Sequence, residues 1–197
     1  MSIICLSQRL YNDFMAKLIV GLGNPGQEYQ NSRHNIGFIA IEQMAGNIRE
    51  GGFKYEKRLD SEVATGKIGK SKVIFIKPQT FMNEAGKAVK RASTVYKIKP
   101  KDILVIQDDL DIAFRNSKLS FARGSAGHRG IESIIKSLKT EKFWRLRLGT
   151  ASSELDGIKN GGLPKPKRVK LITDFVISDF TPSEQKQLNK IIRAAAQ

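Results

Sequence analysis

Short apolar runs that alternate with helical patterns are the feature that most constrains the fold. Residues 17–22 and 103–107 are nearly uninterrupted apolar runs closed by Gly and Pro or by Asp, which is typical of buried strands. Residues 62–69 and 72–77 predict a β-hairpin. Further short strands are predicted at 119–121 and 144–148, and helices at 36–44, 84–96 and 130–138. This order predicts an α/β fold: a single domain with a mixed, mostly parallel central sheet flanked by helices.

Length and local composition suggest how the domain is bounded. The chain has 197 residues, which suits one hydrophobic core. Residues 1–14 precede the first strand pattern and are interpreted as a dispensable N-terminal extension, which leaves 15–197 as the domain. Residues 157–170 are rich in Gly, Pro and Lys without an acid, which predicts a mobile basic loop. Thr181-Pro-Ser-Glu184 has the pattern of a capping box and predicts a C-terminal helix.

The charge balance points to a polyanionic partner. Lys and Arg number 34 against 19 Asp and Glu, for a formal net charge of +15. Such a field attracts nucleic acid first and an anionic membrane surface second. The single Cys5 excludes an intramolecular disulfide and favours a reducing, cytoplasmic setting. Neither a signal peptide nor a membrane span is expected, because no apolar stretch approaches about 18 residues.

A glycine motif after the first strand invites a cofactor-binding interpretation. Gly21-x-Gly23-x-x-Gly26 matches the dinucleotide pattern, which requires a helix starting inside the motif and an acidic residue about 20 positions later. Pro25 and a polar run over 27–35 delay the helix, and no strand ending in an acid follows at the required distance. The motif therefore predicts a tight turn that leaves Asn24 pointing into a cleft, not a nicotinamide or flavin site.

The two histidines, His34 and His128, both lie in polar or glycine-rich connections. Imidazole titrates near neutral pH and can act as a general base when a carboxylate fixes its tautomer. Acids at the end of the second apolar run could supply that carboxylate: Asp108, Asp109 and Asp111. The alternatives are that the acids bind a metal or cap a turn and that His34 is an exposed loop residue. No cluster has a recognisable metal-ligand spacing, so no metal is expected.

Three asparagines follow strands or precede helices: Asn24, Asn35 and Asn83. An amide side chain can donate to and accept from a carbonyl group or a water, so these residues could hold a substrate. Capping of a helix is the alternative, above all for Asn83 ahead of the predicted helix at 84–96. Their spacing does not decide between the two roles.

Four blocks of residues in order along the chain resemble the bacterial-type peptidyl-tRNA hydrolase family. The blocks are Gly21-Leu-Gly-Asn-Pro-Gly26 with Tyr29 and Arg33-His34-Asn35, Lys77-Pro-Gln-Thr-Phe-Met-Asn83, Gln107-Asp-Asp-Leu-Asp111, and Gly124-Ser-Ala-Gly-His128. The resemblance implies hydrolysis of the ester that joins a peptide to the 3′ end of tRNA, without a metal or organic cofactor. It implies a monomeric enzyme whose partner is the acceptor arm and 3′ end of peptidyl-tRNA.

The same resemblance assigns roles to individual residues. His34 would be the base that activates the hydrolytic water, and Asp108 would hold His34 in its basic form. Asn24 would help to discriminate peptidyl from free aminoacyl ends.

Further positions would contact the substrate. Tyr29, Phe81 and Asn83 would contact the 3′ end and the peptide. Arg129 stands where the family usually has Asn, so an amide contact becomes a guanidinium that could bind phosphate or a peptide carbonyl.

Basic residues cluster in three places, which together fit a protein that grips tRNA phosphates. The clusters lie at 87–101, at 159–170, and around the glycine-rich turn with Arg145 and Arg147. A non-catalytic RNA-binding relative of the same fold is the alternative, for which Arg129 is the one hint.

Overall fold

The computed structural model describes residues 17–46, 49–68 and 71–188, and these form a sheet with helices on both faces. The strands are β1 (Leu18–Gly21), β2 (Arg49–Glu56), β3 (Ser61–Ile68), β4 (Ser71–Pro78), β5 (Ile103–Ala113), β6 (Ser117–Phe121) and β7 (Trp144–Ala151). The helices are α1 (Ile36–Ala45), α2 (Ala85–Val95), α3 (Arg129–Leu138), α4 (Ser153–Asn160), α5 (Lys165–Ile177) and α6, whose described residues are 182–188.

The seven strands form one sheet in the order β2-β3-β4-β1-β5-β7-β6. The central strands β4, β1, β5 and β7 are parallel, and antiparallel strands complete both edges. The predicted single α/β domain with a mixed, mostly parallel sheet is confirmed. The predicted hairpin is also confirmed as β3 and β4, although residues 69–70 and the extension at 1–14 lie outside the described part of the chain.

The central strands read as uninterrupted apolar runs because both faces of the sheet are covered. Leu18 and Val20 of β1 pack with α2 and α3 on one face. Ile19 between them packs with α1 on the other face, as the alternation of strand side chains requires. Across the described residues, none of the helices is both long and apolar enough to span a membrane.

Helix α1 lies directly against β1 and β5 because Gly37 has no side chain. A Cβ atom at Gly37 would come within 2.4 Å of the Leu22 carbonyl oxygen and 2.5 Å of the Ile106 carbonyl oxygen. Gly21 faces Gly37 with similarly little space. This contact fixes the position of the short 3-10 turn Arg33–Asn35, which immediately precedes α1. The helix therefore begins after the glycine motif, as the sequence predicts.

Arg33 ties this turn to the C-terminal part of the domain. Its buried guanidinium donates to the Ser178 hydroxyl at 2.8 Å and to the Glu184 carboxylate at 2.9 Å. It also lies 4.6 Å from the centre of the Phe175 ring. Glu184 accepts from the Thr181 backbone N–H at 2.7 Å, which confirms the predicted capping box of α6.

The expectation of a basic loop at 157–170 is wrong, because α4 and α5 occupy most of this range. Lysine favours helices, and Pro166 lies in the first turn of α5, where a missing N–H costs nothing. Only residues 161–164 connect the two helices. Strand β2 was not predicted either, because it contains two glycines and a register shift between Glu50 and Lys54.

Candidate active site

A cleft of about 630 Å³ opens beyond the carboxyl ends of β1, β4 and β5. Sites in α/β sheets collect at this edge, where loops from neighbouring strands meet. The walls contain polar side chains from these loops and an apolar stretch of α5. Most of the predicted site residues line this cleft: Asn24, His34, Phe81, Asn83, Asp108 and Arg129.

A buried carboxylate joins the two histidines at the floor of the cleft. Asp108 Oδ1 lies 2.8 Å from His34 Nδ1 and 2.9 Å from His128 Nε2. His128 Nδ1 accepts from the backbone N–H of Gly130 at 3.1 Å, so its proton must be on Nε2 and is donated to Asp108. His34 likewise donates from Nδ1 to the carboxylate. Nε2 of His34 is thus the ring nitrogen with a free lone pair.

Burial, charge and hydrogen bonding shift the pKa of Asp108 and the pKa of His34. Burial alone would raise the pKa of Asp108, but the charges and hydrogen bonds of His34 and His128 outweigh it and hold this pKa well below its usual range. Burial alone would also lower the pKa of His34. The charge of Asp108 and its hydrogen bond outweigh burial, so the pKa of His34 is raised above 6.5. The positive charge of Arg129 acts in the opposite direction.

His128 is the residue whose role the sequence left unassigned. It is the N-cap of α3, where its side chain accepts from backbone N–H groups and its other nitrogen reaches Asp108. Glycines around it in the turn 124–130 allow the close approach, since Gly127 has a positive φ of 80°. Its place in a glycine-rich turn before a helix was visible in the sequence, but its partner was not.

The asparagines divide into structural and cleft-facing residues. Asn35 is buried and exchanges two hydrogen bonds with the backbone of Asn24, at 2.8 and 2.9 Å. Asn24 Oδ1 accepts from the Met82 N–H at 2.8 Å, so it links the loop after β1 to the turn after β4. Asn83 is exposed and makes no side-chain cap at α2, so it is free to contact a ligand.

The predicted aromatic contacts differ in their placement. Phe81 lies on the rim with 60% of its surface exposed, which suits stacking on a flat ligand. Tyr29 lies in the 3-10 turn Gln27–Tyr29 and does not line the cleft. Its contact with a 3′ end therefore stays a prediction.

One wall of the cleft was missed because α5, which forms it, begins inside the segment 157–170 that was expected as a loop and continues beyond it. Val169, Ile172 and Val176 of α5 supply apolar surface at helical spacing, and this spacing was the available signal. Lys159 of α4 links this part of the chain to β5 by donating to Asp111 and to the Leu110 carbonyl, each at 2.7 Å.

His34, Asp108 and His128 also form the kind of group that could hold a metal ion, with ligand atoms within 4.8 Å of one another. No metal-ligand spacing was recognisable in the sequence, because the members of this group are far apart along the chain. The atoms facing each other are already joined by hydrogen bonds, and the remaining nitrogen of His128 accepts from the backbone. A cation would have to displace two imidazole protons, so these residues fit a hydrogen-bonded relay better than a metal centre.

An α/β domain whose cleft holds an imidazole oriented by a buried carboxylate defines a class of proteins equipped for general-base chemistry. The model of the family described as peptidyl-tRNA hydrolase matches residues 18–197, and the chain belongs to that family.

Relatives and solved structures agree with this membership. The peptidyl-tRNA hydrolase of Aquifex aeolicus is 39% identical over 91% of this chain and 85% of its own length. That of Persephonella marina is 37% identical over 93% of this chain and 88% of its own length. A crystal structure of peptidyl-tRNA hydrolase from Acinetobacter baumannii is 31% identical and superposes with a TM-score of 0.77 over 90% of this chain and 83% of that chain.

Proposed function

We propose that the protein hydrolyses the ester bond between the peptide and the 3′ end of tRNA in peptidyl-tRNA. Family membership supports the reaction class, and the His34–Asp108 hydrogen bond of 2.8 Å is the observation that carries it. The cleft offers a free imidazole nitrogen, amide groups and an exposed aromatic rim, which are the groups that a neutral ester linked to a nucleoside needs.

His34 Nε2 removes a proton from water, and the resulting hydroxide attacks the ester carbonyl carbon. The positive charge that forms on the ring is stabilised by Asp108, which keeps the proton of Nδ1 in place. Collapse of the tetrahedral intermediate breaks the bond to the ribose oxygen, which takes up the proton held on His34 Nε2 as free tRNA leaves, so the neutral imidazole is restored. The carboxylic acid product carries the peptide.

Further substrate contacts are proposed from the residues that line the cleft and, for Tyr29, from the resemblance alone. Phe81 stacks on the terminal base, a contact worth about 1–3 kcal/mol. Asn83 and Asn24 hydrogen-bond the peptide backbone, so the site accepts many peptides. Tyr29 contacts the 3′ end, and Arg129 contacts a phosphate or a peptide carbonyl.

The tRNA body is held by cationic side chains near the edge strand β6 and its neighbour β7. Lys118 and Arg123 are exposed there, whereas Arg147 pairs with Asp109 at 2.6 Å and Arg145 is buried in the sheet. These contacts read phosphates and shape, with little information about base sequence. We also propose that the enzyme acts as a monomer in the cytoplasm, which light scattering and cell fractionation can test.

Incubation of the purified protein with labelled peptidyl-tRNA tests the proposal. Free tRNA and free peptide should appear, and His34→Ala should slow their release by roughly 10²–10⁴, the usual contribution of a general base. Lys17→Gln, which alters an exposed lysine just before β1 at the end of the sheet opposite the cleft, should behave as the unmodified protein. Normal turnover by His34→Ala would refute the base assignment.

The alternative of a non-catalytic RNA-binding relative is not favoured, because the hydrogen-bonded His34–Asp108 pair is intact. It would be supported by salt-dependent RNA binding without any ester cleavage in the same assay.

A further inference from the structure

A second groove of about 780 Å³ opens between α2 and α3, beside the cleft. Asn83 and Arg129 line both the groove and the cleft, so the two spaces meet at these residues. Helices α2 and α3 come together at Gly86, where a Cβ atom would lie 2.0 Å from the Ser133 carbonyl oxygen. A chain attached to the reacting ester can therefore continue from the cleft into the groove.

The groove has one net positive charge, and two of its cations have no ion-pair partner among the described residues. Three cationic side chains and two carboxylates line it. Glu84 pairs with Lys87, and Glu132 accepts from the Ser125 hydroxyl at 3.2 Å. Arg129 and Lys136 are exposed and form no hydrogen bond or ion pair with any residue that the structure describes.

The chemistry of the groove favours the peptide over the RNA as its occupant. A phosphodiester backbone brings one negative charge with every nucleotide, and a groove with one net positive charge would compensate little of it. The amide of Asn83 and the hydroxyls of Ser133 and Ser137 instead suit the N–H and C=O groups of a peptide. The cationic edge at β6 and β7 lies on another part of the surface and is available to the RNA.

We propose that the groove between α2 and α3 receives the peptide part of the substrate and that Arg129 and Lys136 make the enzyme favour peptides with an acidic side chain a few residues from the ester. This inference rests on the proposed function. Because both cations are exposed, the preference is modest, about threefold to tenfold for the two charges together.

Three substrates with the same tRNA test the preference. Their N-acetylated peptides are of equal length and differ at one position, which is Glu, Gln or Lys. The ratio of kcat/KM for the Glu substrate to that for the Lys substrate should be about three to ten. It should fall towards one in the Arg129→Asn/Lys136→Gln double variant and partly in Lys136→Gln. Lys17→Gln removes a charge at the end of the sheet opposite the cleft and should keep the full ratio.

The outcomes separate the possible roles of the groove. A ratio near one in the unmodified enzyme, or a ratio that the double variant leaves unchanged, would overturn the proposed preference. Weaker binding of deacylated tRNA by the double variant, with a smaller salt dependence, would assign the groove to RNA instead. Failure of the unmodified enzyme to cleave any of the three substrates would overturn the proposed function itself.

Discussion

The imidazole rings of His34 and His128 lie with their centroids 5.1 Å apart and donate to the same oxygen, Oδ1 of Asp108. The carboxylate is thus held from two sides, and neither ring can turn without breaking a hydrogen bond. The positive charge that His34 acquires in the reaction forms beside a carboxylate whose negative charge is shared with a second ring. His128 accordingly modulates the base without taking the proton from water.

Replacement of His128 separates its two roles. His128→Asn retains an oxygen that can cap α3 but is shorter than the ring that reaches Asp108. With one donor fewer, Asp108 interacts more strongly with His34, so the rising limb of the pH–rate profile should move to higher pH. His128→Ala should show the same shift and also lose about 1 kcal/mol of stability with the cap. Urea unfolding measures the loss of stability, and pH–rate profiles measure the shift of the rising limb. A limb that is unchanged in both variants would contradict an effect of His128 on His34 through Asp108.

The pH dependence of turnover follows from the raised pKa of His34. In the proposed mechanism the base must be neutral, so kcat/KM, which reports the free enzyme, should rise with pH through an apparent pKa above the ordinary value for imidazole. Asp108→Asn removes the charge that raises this pKa while burial still lowers it, so the limb should move below 6.5. The plateau should also fall by roughly 10²–10⁴, because the wrong tautomer is favoured. If the rising limb stays in place in Asp108→Asn, the charge of Asp108 is not what raises the pKa of the base.

Arg33 should contribute far more to stability than an exposed arginine at a similar distance from its partner. The Arg33–Glu184 pair at 2.9 Å is largely buried, so Arg33→Ala leaves polar groups unpaired and should cost about 3–5 kcal/mol. Arg58 pairs with Glu56 at 3.0 Å but its side chain is 64% exposed, so Arg58→Ala should have little effect. Urea unfolding measures the loss of stability in both variants. Equal losses would contradict the larger contribution expected of Arg33.

Two glycines in helical segments should respond in opposite directions to alanine. Gly86→Ala would force α2 away from Ser133 and should destabilise the fold by about 1–3 kcal/mol. Gly157 in α4 has no atom within 4 Å of an added Cβ, so Gly157→Ala should stabilise by about 0.5–1 kcal/mol. Thermal unfolding distinguishes the two variants. An unchanged stability of Gly86→Ala would show that α2 and α3 can move apart without destabilising the fold.

Salt should act on substrate binding more than on the chemical step. The proposed reaction needs an imidazole, a carboxylate and amides, whereas we assign the net charge of +15 to holding the tRNA. Raising KCl from about 50 to about 200 mM should raise KM by on the order of tenfold if two to three phosphates are contacted. Saturating turnover should change much less. A KM that is insensitive to salt would contradict the assignment of the charge.

The parts of the fold that the sequence predicts are those with one clear pattern. The apolar run around Leu18 could only be a strand covered on both faces, and the run from Ile103 ends at the acids of the site. Strand β2 could not be predicted, because its residues are mostly polar and its position depends on pairing with β3. Helix α5 was missed because its lysines and prolines obscured the spacing of Val169, Ile172 and Val176.

The site also has parts that the sequence predicts and contacts that only the folded chain reveals. His34 and Asp108 are 74 residues apart, so only the resemblance, and no local pattern, could bring them together in advance. The hydrogen bond between His128 and Asp108 depends on how α3 packs against β5, and no spacing in the sequence indicates this contact. The amide positions could be named, but whether Asn35 binds a ligand or the backbone of Asn24 depended on a turn that only the folded chain defines.

The link between Arg33 and Glu184 spans 151 residues and adjoins the catalytic base. During synthesis, the turn that carries His34 leaves the ribosome long before Ser178 and Glu184 exist to hold it. A nascent copy therefore acquires its anchored base only when translation of the C-terminal helices is complete. The appearance of activity in a ribosome-bound chain would consequently indicate that the contact between Arg33 and Glu184 has formed.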